Sequence, residues 1–502
     1  MSAEGLPQPR PLRYGEPAGR WVLAATVLGS SIAFLDATVV NIALPAIDEQ
    51  LSAGVAGLTW TVNAYNLTLA ALVLIGGSLG DRYGRRRVFM VGVAWFGLTS
   101  LACALATNIE LLVIFRALQG IGAALLTPVA LAILQATFRS EDRARAIGAW
   151  SGLAGITGAI GPLLGGWLIE LGSWRWIFLI NIPVVLIVLA IAHRHVPESR
   201  HVAASGRLDL GGSGLAALAL GLLTYALTLS SEQGGSWLPV IVGLGLGGLA
   251  LAGFGYRERR AADPLLPLSI FRAPRFAATN AVTFLVYAAL GTVFFWLVVA
   301  LQVVSAWSPL AAGLALLPVT ILMLLFSPWA GVISNRWGPR IPMTVGPLVA
   351  ATGVMLLSRV GADAAIVIDV LLPVSLLGAG LTLTVTPLTA TALGAVEEDR
   401  AGLASGVNNA VARTGGLVLV AAMPALTGLG AGGFSDPGLL DPAFTTAMLI
   451  CAAVLAVAGI GAGLTVRPPA EPSTSGPTCP DRHCAVDGTP LGLSQAPEAE
   501  LP

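Results

Sequence analysis

The stretch GSLGDRYGRRRVF, residues 77–89, lies between two long apolar runs and carries nearly all the charge of its neighbourhood. Its glycines, Gly77, Gly80 and Gly84, permit a tight turn with close backbone approach. Asp81 ends the first apolar run, where it can accept hydrogen bonds from a neighbouring helix N-terminus and from Arg82 or Arg85. The remaining basic residues of the stretch are Arg86 and Arg87. We interpret the stretch as a structured turn between two helices. The alternative is a loop that collects arginine for topological reasons alone.

The composition of the whole chain indicates an integral membrane protein. Of its 502 residues, 55% are hydrophobic and 11% are charged, and the mean hydropathy is +0.81. A soluble domain carries about 25% charged residues. A membrane-spanning helix needs roughly 20 apolar residues, so a chain of this length and composition accommodates about 14 of them. Soluble and disordered classes are therefore excluded.

The basic residues exclude further classes of protein. All 27 are arginine, and they balance 27 acidic residues, so the formal net charge is zero. A P-loop requires a lysine, as does Schiff-base chemistry. The chain therefore has no Walker site of its own, and any active process must draw on a gradient or on a separate subunit.

Fourteen spans are predicted from the apolar runs. They lie at about 21–46, 57–79, 88–106, 109–135, 144–171, 176–193, 208–230, 237–256, 276–304, 309–334, 340–358, 366–392, 401–428 and 442–466. Alternate loops, starting from the N-terminal tail, hold nearly all the arginine, whereas the opposite loops hold only Arg175 and Arg359. The positive-inside rule predicts that the arginine-rich loops and both termini are cytoplasmic. A 12-span interpretation has to remove two adjacent spans to keep this alternation.

An internal repeat divides the spans into two groups of six. EDRARAIGAW begins at Glu141 and EDRAGLASGV begins at Glu398, and two further pairs of segments recur with a similar offset. Two parallel six-helix halves are one of the repeat plans of secondary transporters. Spans 7 and 8 remain as a central insertion. The expected regions are an N-terminal tail (1–20), a first half (21–193), a linker (194–207), two inserted helices (208–256), a linker (257–275), a second half (276–466) and a disordered tail (467–502).

Two ionisable residues lie deep in apolar sequence. Asp36 is in span 1 and Arg116 is in span 4, and counting residues from the span ends places both in one layer, where we expect them to face a central cavity. A membrane-embedded ionisable residue is a functional hypothesis by default. The alternatives are a structural ion pair and a buried neutral aspartate. In the tail, Cys479, His483 and Cys484 cluster without a fourth ligand, so no metal site is predicted.

Span 5 has a face of small residues. Its segment GLAGITGAIGPLLGG contains a proline, Pro162, that can bend the helix. Its small-residue spacing permits close helix approach. The glycines in question are Gly158, Gly161, Gly165 and Gly166. Ordinary tight packing is the alternative explanation for this spacing.

Together these segments resemble the major facilitator superfamily, specifically its 14-span drug:proton antiporters. The resemblance covers residues 21–466. It is carried by LDATVVNIALP (35–45), GSLGDRYGRRR (77–87), RALQGIGAA (116–124), GPLLGG (161–166) and WRWIFLINIP (174–183). It implies an all-α fold of two six-helix halves plus two inserted helices. Thr157 stands where the antiporter motif usually begins with glycine, and Asn335 replaces Asp81 in the second repeat.

The resemblance also implies roles for particular residues. Asp36, Arg116, Asn41 and Arg413 are candidates for proton coupling and substrate binding, and the 77–87 loop is a candidate cytoplasmic latch. Arg413 lies in the middle of span 13, whereas the repeat counterpart of Arg116 is near Val374. Proton coupling is therefore expected mainly in the first half.

The resemblance implies export of small lipophilic drugs or antibiotics in exchange for protons, at the plasma membrane, without a cofactor. The expected partners are a small-molecule substrate, protons and the bilayer, with no nucleic acid, and a monomer is compatible with this plan. A proton-coupled importer or metabolite exporter, a passive pore and a membrane enzyme are the competing classes. The four histidines lie in loops or the tail with no nucleophile or metal-ligand spacing, which disfavours an enzyme.

Overall fold

Helices make up nearly all of the structure, which is a computed structural model. The residues that it describes are 11–200, 209–230, 237–261, 264, 266–396, 401–430 and 432–466. The helices of these residues are α1 (Pro17–Leu51), α2 (Gly54–Tyr83), α3 (Arg85–Ala104), α4 (Ile109–Thr137), α5 (Ser140–Glu170), α6 (Trp176–Leu179), α7 (Asn181–His195), α8 (Leu210–Leu229), α9 (Trp237–Arg260), α10 (Pro274–Val303), α11 (Pro309–Ala315), α12 (Leu317–Trp337), α13 (Arg340–Leu357), α14 (Leu372–Leu393), α15 (Ala401–Thr427) and α16 (Pro437–Thr465). A π-helical turn, Ile366–Leu371, precedes α14. The predicted disordered tail and its cysteines lie outside the described residues.

The chain is a multi-pass membrane protein. Within the described residues, 12 helices are long and apolar enough to cross a membrane, and a bent pair within α2 gives a thirteenth. The apolar part of α5, Ile160–Glu170, is shorter. Counting α6 with α7 and α11 with α12, the helices fit the predicted plan of 14 spans, although not every one is apolar enough by itself.

The helix packing repeats in two sets. In the first set, α1–α7, helix α1 packs on α5 and α7, and α4 packs on α2 and α3. In the second set, α10–α16, helix α10 packs on α15 and α16, and α14 packs on α12 and α13. The internal sequence repeat thus corresponds to a repeated arrangement of helices, while the region boundaries set out above stay predictions.

The inserted helices α8 and α9 pack on each other, and α8 also packs on α2 and α15. Only 22% of the apolar window of α9 is buried, against 72% for α10, so α9 is peripheral. At the start of α8, Asp209 accepts hydrogen bonds from the Gly212 N–H at 2.8 Å and from Arg257 Nε at 2.7 Å. Burial by itself would raise the pKa of this carboxyl. The hydrogen bonds from the Gly212 N–H and Arg257 outweigh that effect and hold the pKa of Asp209 below its usual value.

One end of the first set, which we call the basic end, brings together four arginine-bearing segments. The Leu12 N–H donates to the Thr137 carbonyl at 2.9 Å, and the Arg85 N–H donates to the Ser199 carbonyl at 3.0 Å. These bonds join the N-terminal segment to the end of α4, and the turn between α2 and α3 to the segment that follows α7. The alternation of arginine along the sequence is therefore matched by contact in space.

At the other end of the molecule, which we call the opposite end, the two helix sets touch. Gln302 Nε2 donates to the Ile42 carbonyl at 3.0 Å, and the Leu310 N–H donates to Glu170 Oε1 at 3.3 Å. The Ser435 hydroxyl bonds the Asp48 carboxylate. These contacts join the two sets at the opposite end in this conformation.

The pairing of α2 with α4 depends on a glycine. A Cβ built at Gly76 would lie 2.0 Å from the Ala124 carbonyl oxygen, which is backbone and cannot move aside. At the next residue, Gly77, the nearest atom would be Pro128 Cβ at 3.8 Å, which is ordinary contact. Adjacent glycines therefore meet quite different surroundings.

We predict that Gly76→Ala destabilises the protein by about 1–3 kcal/mol, because overpacking separates α2 from α4. Gly77→Ala is the matched control: it leaves stability unchanged or raises it slightly, since alanine favours the helix. Thermal unfolding of the purified proteins in detergent checks both. Equal melting temperatures for the two variants would contradict the close α2–α4 contact.

Candidate functional site

Asp36 of α1 and Arg116 of α4 form an ion pair in the interior of the first helix set. Arg116 Nη1 donates to Asp36 Oδ2, and the two side chains are 0% and 1% exposed. The sequence placed both residues in one layer, and the structure joins them. It does not leave them lining an open cavity: in this conformation the pair is sealed from solvent.

A network of uncharged polar groups holds the pair. Gln119, one turn after Arg116, accepts from Arg116 Nη1 at 2.7 Å and donates to Asp36 Oδ1 at 3.0 Å. Gln119 Nε2 also lies 3.3 Å from Ser100 Oγ, to which Asn181 Nδ2 donates at 2.9 Å. Buried charges are tolerable when their remaining hydrogen-bonding positions are filled. Four helices of the first set therefore contribute to one satisfied cluster.

The guanidinium of Arg116 has further partners on α2. Its Nε donates to the Thr61 carbonyl at 3.1 Å, and its Cζ lies 4.4 Å from the centroid of the Tyr65 ring. The Tyr65 hydroxyl donates to the Ala33 carbonyl at 3.2 Å, so the ring is fixed between α1 and α4. A desolvated cation–π contact of this kind stabilises the charge.

The other two candidates of this group are not among the hydrogen-bond partners that the structure describes for the pair. Asn41 has its Oδ1 buried without a hydrogen-bond partner. Arg413 of α15 belongs to the second set and reaches across to the first, where Nη1 donates to Asn66 Oδ1 of α2 at 3.5 Å. On α2, one turn before Asn66, the Asn63 side chain is 1% exposed with neither amide atom paired. Unpaired amides therefore lie near the junction of the two sets.

The 77–87 turn folds around an ion pair of its own. Arg85 donates to Asp81 Oδ1 through Nε at 2.9 Å and Nη2 at 2.7 Å, and through Nη1 to the Ala132 carbonyl of α4 at 3.2 Å. Arg85 is one of the two predicted partners of Asp81, and its bond is confirmed. Gly80 faces Val129 of α4, where a Cβ would lie 2.7 Å from Cγ2. The turn is thus fastened to α4.

Glu198, in the segment after α7, fastens the same turn from the other side. Its Oε1 accepts from the Arg86 N–H at 3.1 Å, and its Oε2 lies 3.7 Å from Arg87 Nε. Gly84 has φ +108, a conformation that favours glycine, and a Cβ there would lie 2.7 Å from Glu198 Oε1. The carboxylate therefore sits in a space that only glycine leaves open. Arg82 also has an interaction in the structure.

The glycines of α5 pack against both helix sets. A Cβ at Gly161 would lie 2.1 Å from Thr38 Oγ1, and one at Gly165 would lie 2.6 Å from Val39 Cγ2, both on α1. A Cβ at Gly166 would lie 2.6 Å from the Leu310 Cα of α11. A Cβ at Gly313 of α11 would lie 2.4 Å from the Pro162 carbonyl oxygen of α5. Small residues thus bring α5 into close contact across the junction. The surroundings of Gly158 in α5 are not described.

A sequence profile of a known family covers most of the chain. The profile is that of the Major Facilitator Superfamily, and it matches residues 26–421. The chain belongs to this superfamily. The Multidrug resistance protein Stp of Mycobacterium tuberculosis is 36% identical over 391 residues, which are 77% of this chain and 72% of the relative. The Tetracenomycin C resistance and export protein of Streptomyces glaucescens is 36% identical over 83% of this chain and 78% of the relative.

Solved structures agree on the fold. A bacterial homologue of the human lysosomal transporter Spinster superposes with a TM-score of 0.63 at 18% identity, covering 90% of this chain and 98% of that one. The fold is therefore the all-α major facilitator fold predicted from the sequence. Membership of the superfamily makes the chain a membrane transporter of small molecules and not an enzyme, as predicted.

Sequence reasoning missed the polar residues that complete both clusters. Gln119 carries a signal that was available, because a residue three positions after Arg116 lies on the same helical face. Ser100, Asn181 and Glu198 carry none, since their partners are remote in sequence and only the tertiary fold brings them together.

We predict that Glu198→Gln exposes the turn to trypsin. Removing the charge weakens the attraction to Arg86 and Arg87, so cleavage after these arginines accelerates several-fold in protein reconstituted into nanodiscs. Glu110→Gln is the control, because Glu110 is an exposed residue in the first turn of α4, at the opposite end. Unchanged cleavage in Glu198→Gln would show that the carboxylate does not restrain the turn.

Proposed function

We propose that this transporter exports small drug-like molecules in exchange for protons by alternating access. The observation that carries the proposal is the sealed Asp36–Arg116 pair. The names of the relatives add support, since one is described as a multidrug resistance protein and another as a resistance and export protein.

The buried pair has the chemistry of a proton-coupling site. When Asp36 is ionised, the Arg116 guanidinium neutralises it. A proton on Asp36 removes that attraction and leaves Arg116 as an uncompensated charge in an apolar interior, which is costly. The protonated state therefore favours a rearrangement that brings Arg116 to water or to another anion. Gln119, which bonds both members, transmits the change to α3 and α7 through Ser100 and Asn181.

Orientation in the membrane follows from charge. We infer that the basic end and both termini face the cytoplasm of a plasma membrane, as the positive-inside rule requires. The opposite end, where the sets are joined at Ile42, Asp48 and Glu170, is then extracellular. In this orientation the conformation described is closed to the outside.

The two motifs then have distinct roles in the cycle. The 77–87 turn, clamped by Arg85 to Asp81 and by Glu198 to Arg86, makes the cytoplasmic ends of α2, α3 and α7 move as one body. Helix α5 contacts α11 through small residues, so its surface allows one set to rock against the other with little steric resistance.

We predict that Asp36→Asn abolishes proton-driven transport while the protein still folds. Asparagine keeps the size and the bond to Gln119 but cannot gain or lose a proton. Asp369→Asn is the matched control, since among the described residues the side chain of Asp369 accepts a local bond from the Ala365 N–H at 2.8 Å and no other. The measurement is uptake of ethidium and a panel of antibiotics into energised inside-out vesicles, with and without a protonophore.

The outcomes separate the competing functions. Protonophore-sensitive uptake into inside-out vesicles by the wild type, lost in Asp36→Asn alone, supports proton-coupled export. Uptake only into right-side-out vesicles would indicate an importer instead. Undiminished proton-driven uptake by Asp36→Asn would refute the role of Asp36.

A further inference from the structure

We propose that Arg413 binds an anionic group of the transported molecule, so that the preferred substrates are acids. This inference rests on the proposed function of the chain as an exporter of small molecules, and it names the chemical class of its cargo. The group in question is a planar anion such as a carboxylate or an enolate, which matches the guanidinium in shape.

The two intramembrane arginines differ in how completely they are paired. Arg116 is 1% exposed and has a carboxylate, an amide and a backbone carbonyl as partners. Arg413 is only partly buried, and Asn66 Oδ1 at 3.5 Å is its hydrogen-bond acceptor. Among the residues that the structure describes, no carboxylate lies within 4.0 Å of Arg413. An arginine in a membrane interior without a counter-ion is expensive to maintain.

The packing of α15 directs Arg413 to the junction of the two helix sets. A Cβ at Gly415 would lie 2.4 Å from the Phe284 carbonyl oxygen, so that face of α15 is pressed against α10. Arg413 is two residues earlier and hence on the other side of the helix. There it contacts Asn66 of the first set. Carriers of this plan bind their substrate at such a junction. Arg413 therefore places a cation where a substrate would bind.

The charges of this layer do not balance. Asp36 and Arg116 cancel, and Arg413 adds one positive charge, which acts electrostatically on Tyr65 of the first set and on Tyr287 of the second. A bound anion is the group that neutralises this charge, whereas a cationic molecule entering the same place is repelled.

An independent observation also indicates a ligand nearby. Asn63, on the same face of α2 as Asn66, is 1% exposed, and both of its amide atoms lack a hydrogen-bond partner. A buried amide in this state is unfavourable until something pairs with it. Its N–H groups are donors that suit an acidic molecule.

The test measures equilibrium binding of two matched probes to the full chain in nanodiscs without any gradient. Dansylglycine carries a carboxylate, and dansylglycinamide is its neutral counterpart. We expect the wild type to bind the acid about tenfold more tightly or better, the gain of a charge-assisted hydrogen bond. Arg413→Gln removes this preference, and Arg413→Lys retains part of it. Arg359→Gln, which alters an exposed arginine at the opposite end, keeps the full preference.

The ratio of the two affinities is read on one preparation, so partial misfolding lowers both alike and leaves the ratio intact. Equal affinities in the wild type, an unchanged ratio in Arg413→Gln, or no saturable binding of either probe beyond empty nanodiscs would overturn the inference. If proton-driven export of ethidium or of any antibiotic in the panel persists in that case, the proposed function stands without it. If the acid preference holds but Asp36→Asn still exports normally, the inference about Arg413 stands and the proton-coupling role of Asp36 does not.

Discussion

The structure depends on one constraint, which is that hydrocarbon offers no water to a polar group. The backbone meets it by forming helices almost throughout. The side chains meet it in the cluster around Asp36 and Arg116, where Gln119 occupies positions that water fills in a soluble protein. An ion pair of this kind gains little stability over apolar packing. This is why we propose for it a role in which its charge changes.

The same solvent alters how the helices are held together. Lipid is as apolar as leucine, so helix association relies on close contact and not on escape from water. The glycines at 76, 161 and 166 provide that contact in different places, within the first set and across the junction. Tight contact inside a set and small-residue contact between sets are suited to two bodies that move as units.

Much of this architecture could be predicted from the sequence. Apolar runs and arginine alternation located the spans, although helices such as α2 extend beyond the predicted 57–79 at both ends. Asp36 and Arg116 could be found because an ionisable residue is conspicuous in an apolar run. Ser100, Asn181 and Glu198 are ordinary in their local sequence, and their significance arises from partners many residues away. The failure of Asp36 to line a cavity was likewise hidden, because burial depends on the relative positions of whole helices.

The position of Tyr65 has a thermodynamic consequence. Its ring lies against Arg116, and the charges of Asp36, Arg116 and Arg413 all act on it. Charges that act on one another in this way do not titrate or bind independently. By whatever factor an anion beside Arg413 changes the proton affinity of Asp36, a proton on Asp36 changes the anion affinity by the same factor. The proton and the substrate can thus influence each other through a single coupling free energy, without a dedicated mechanical link between the two sites.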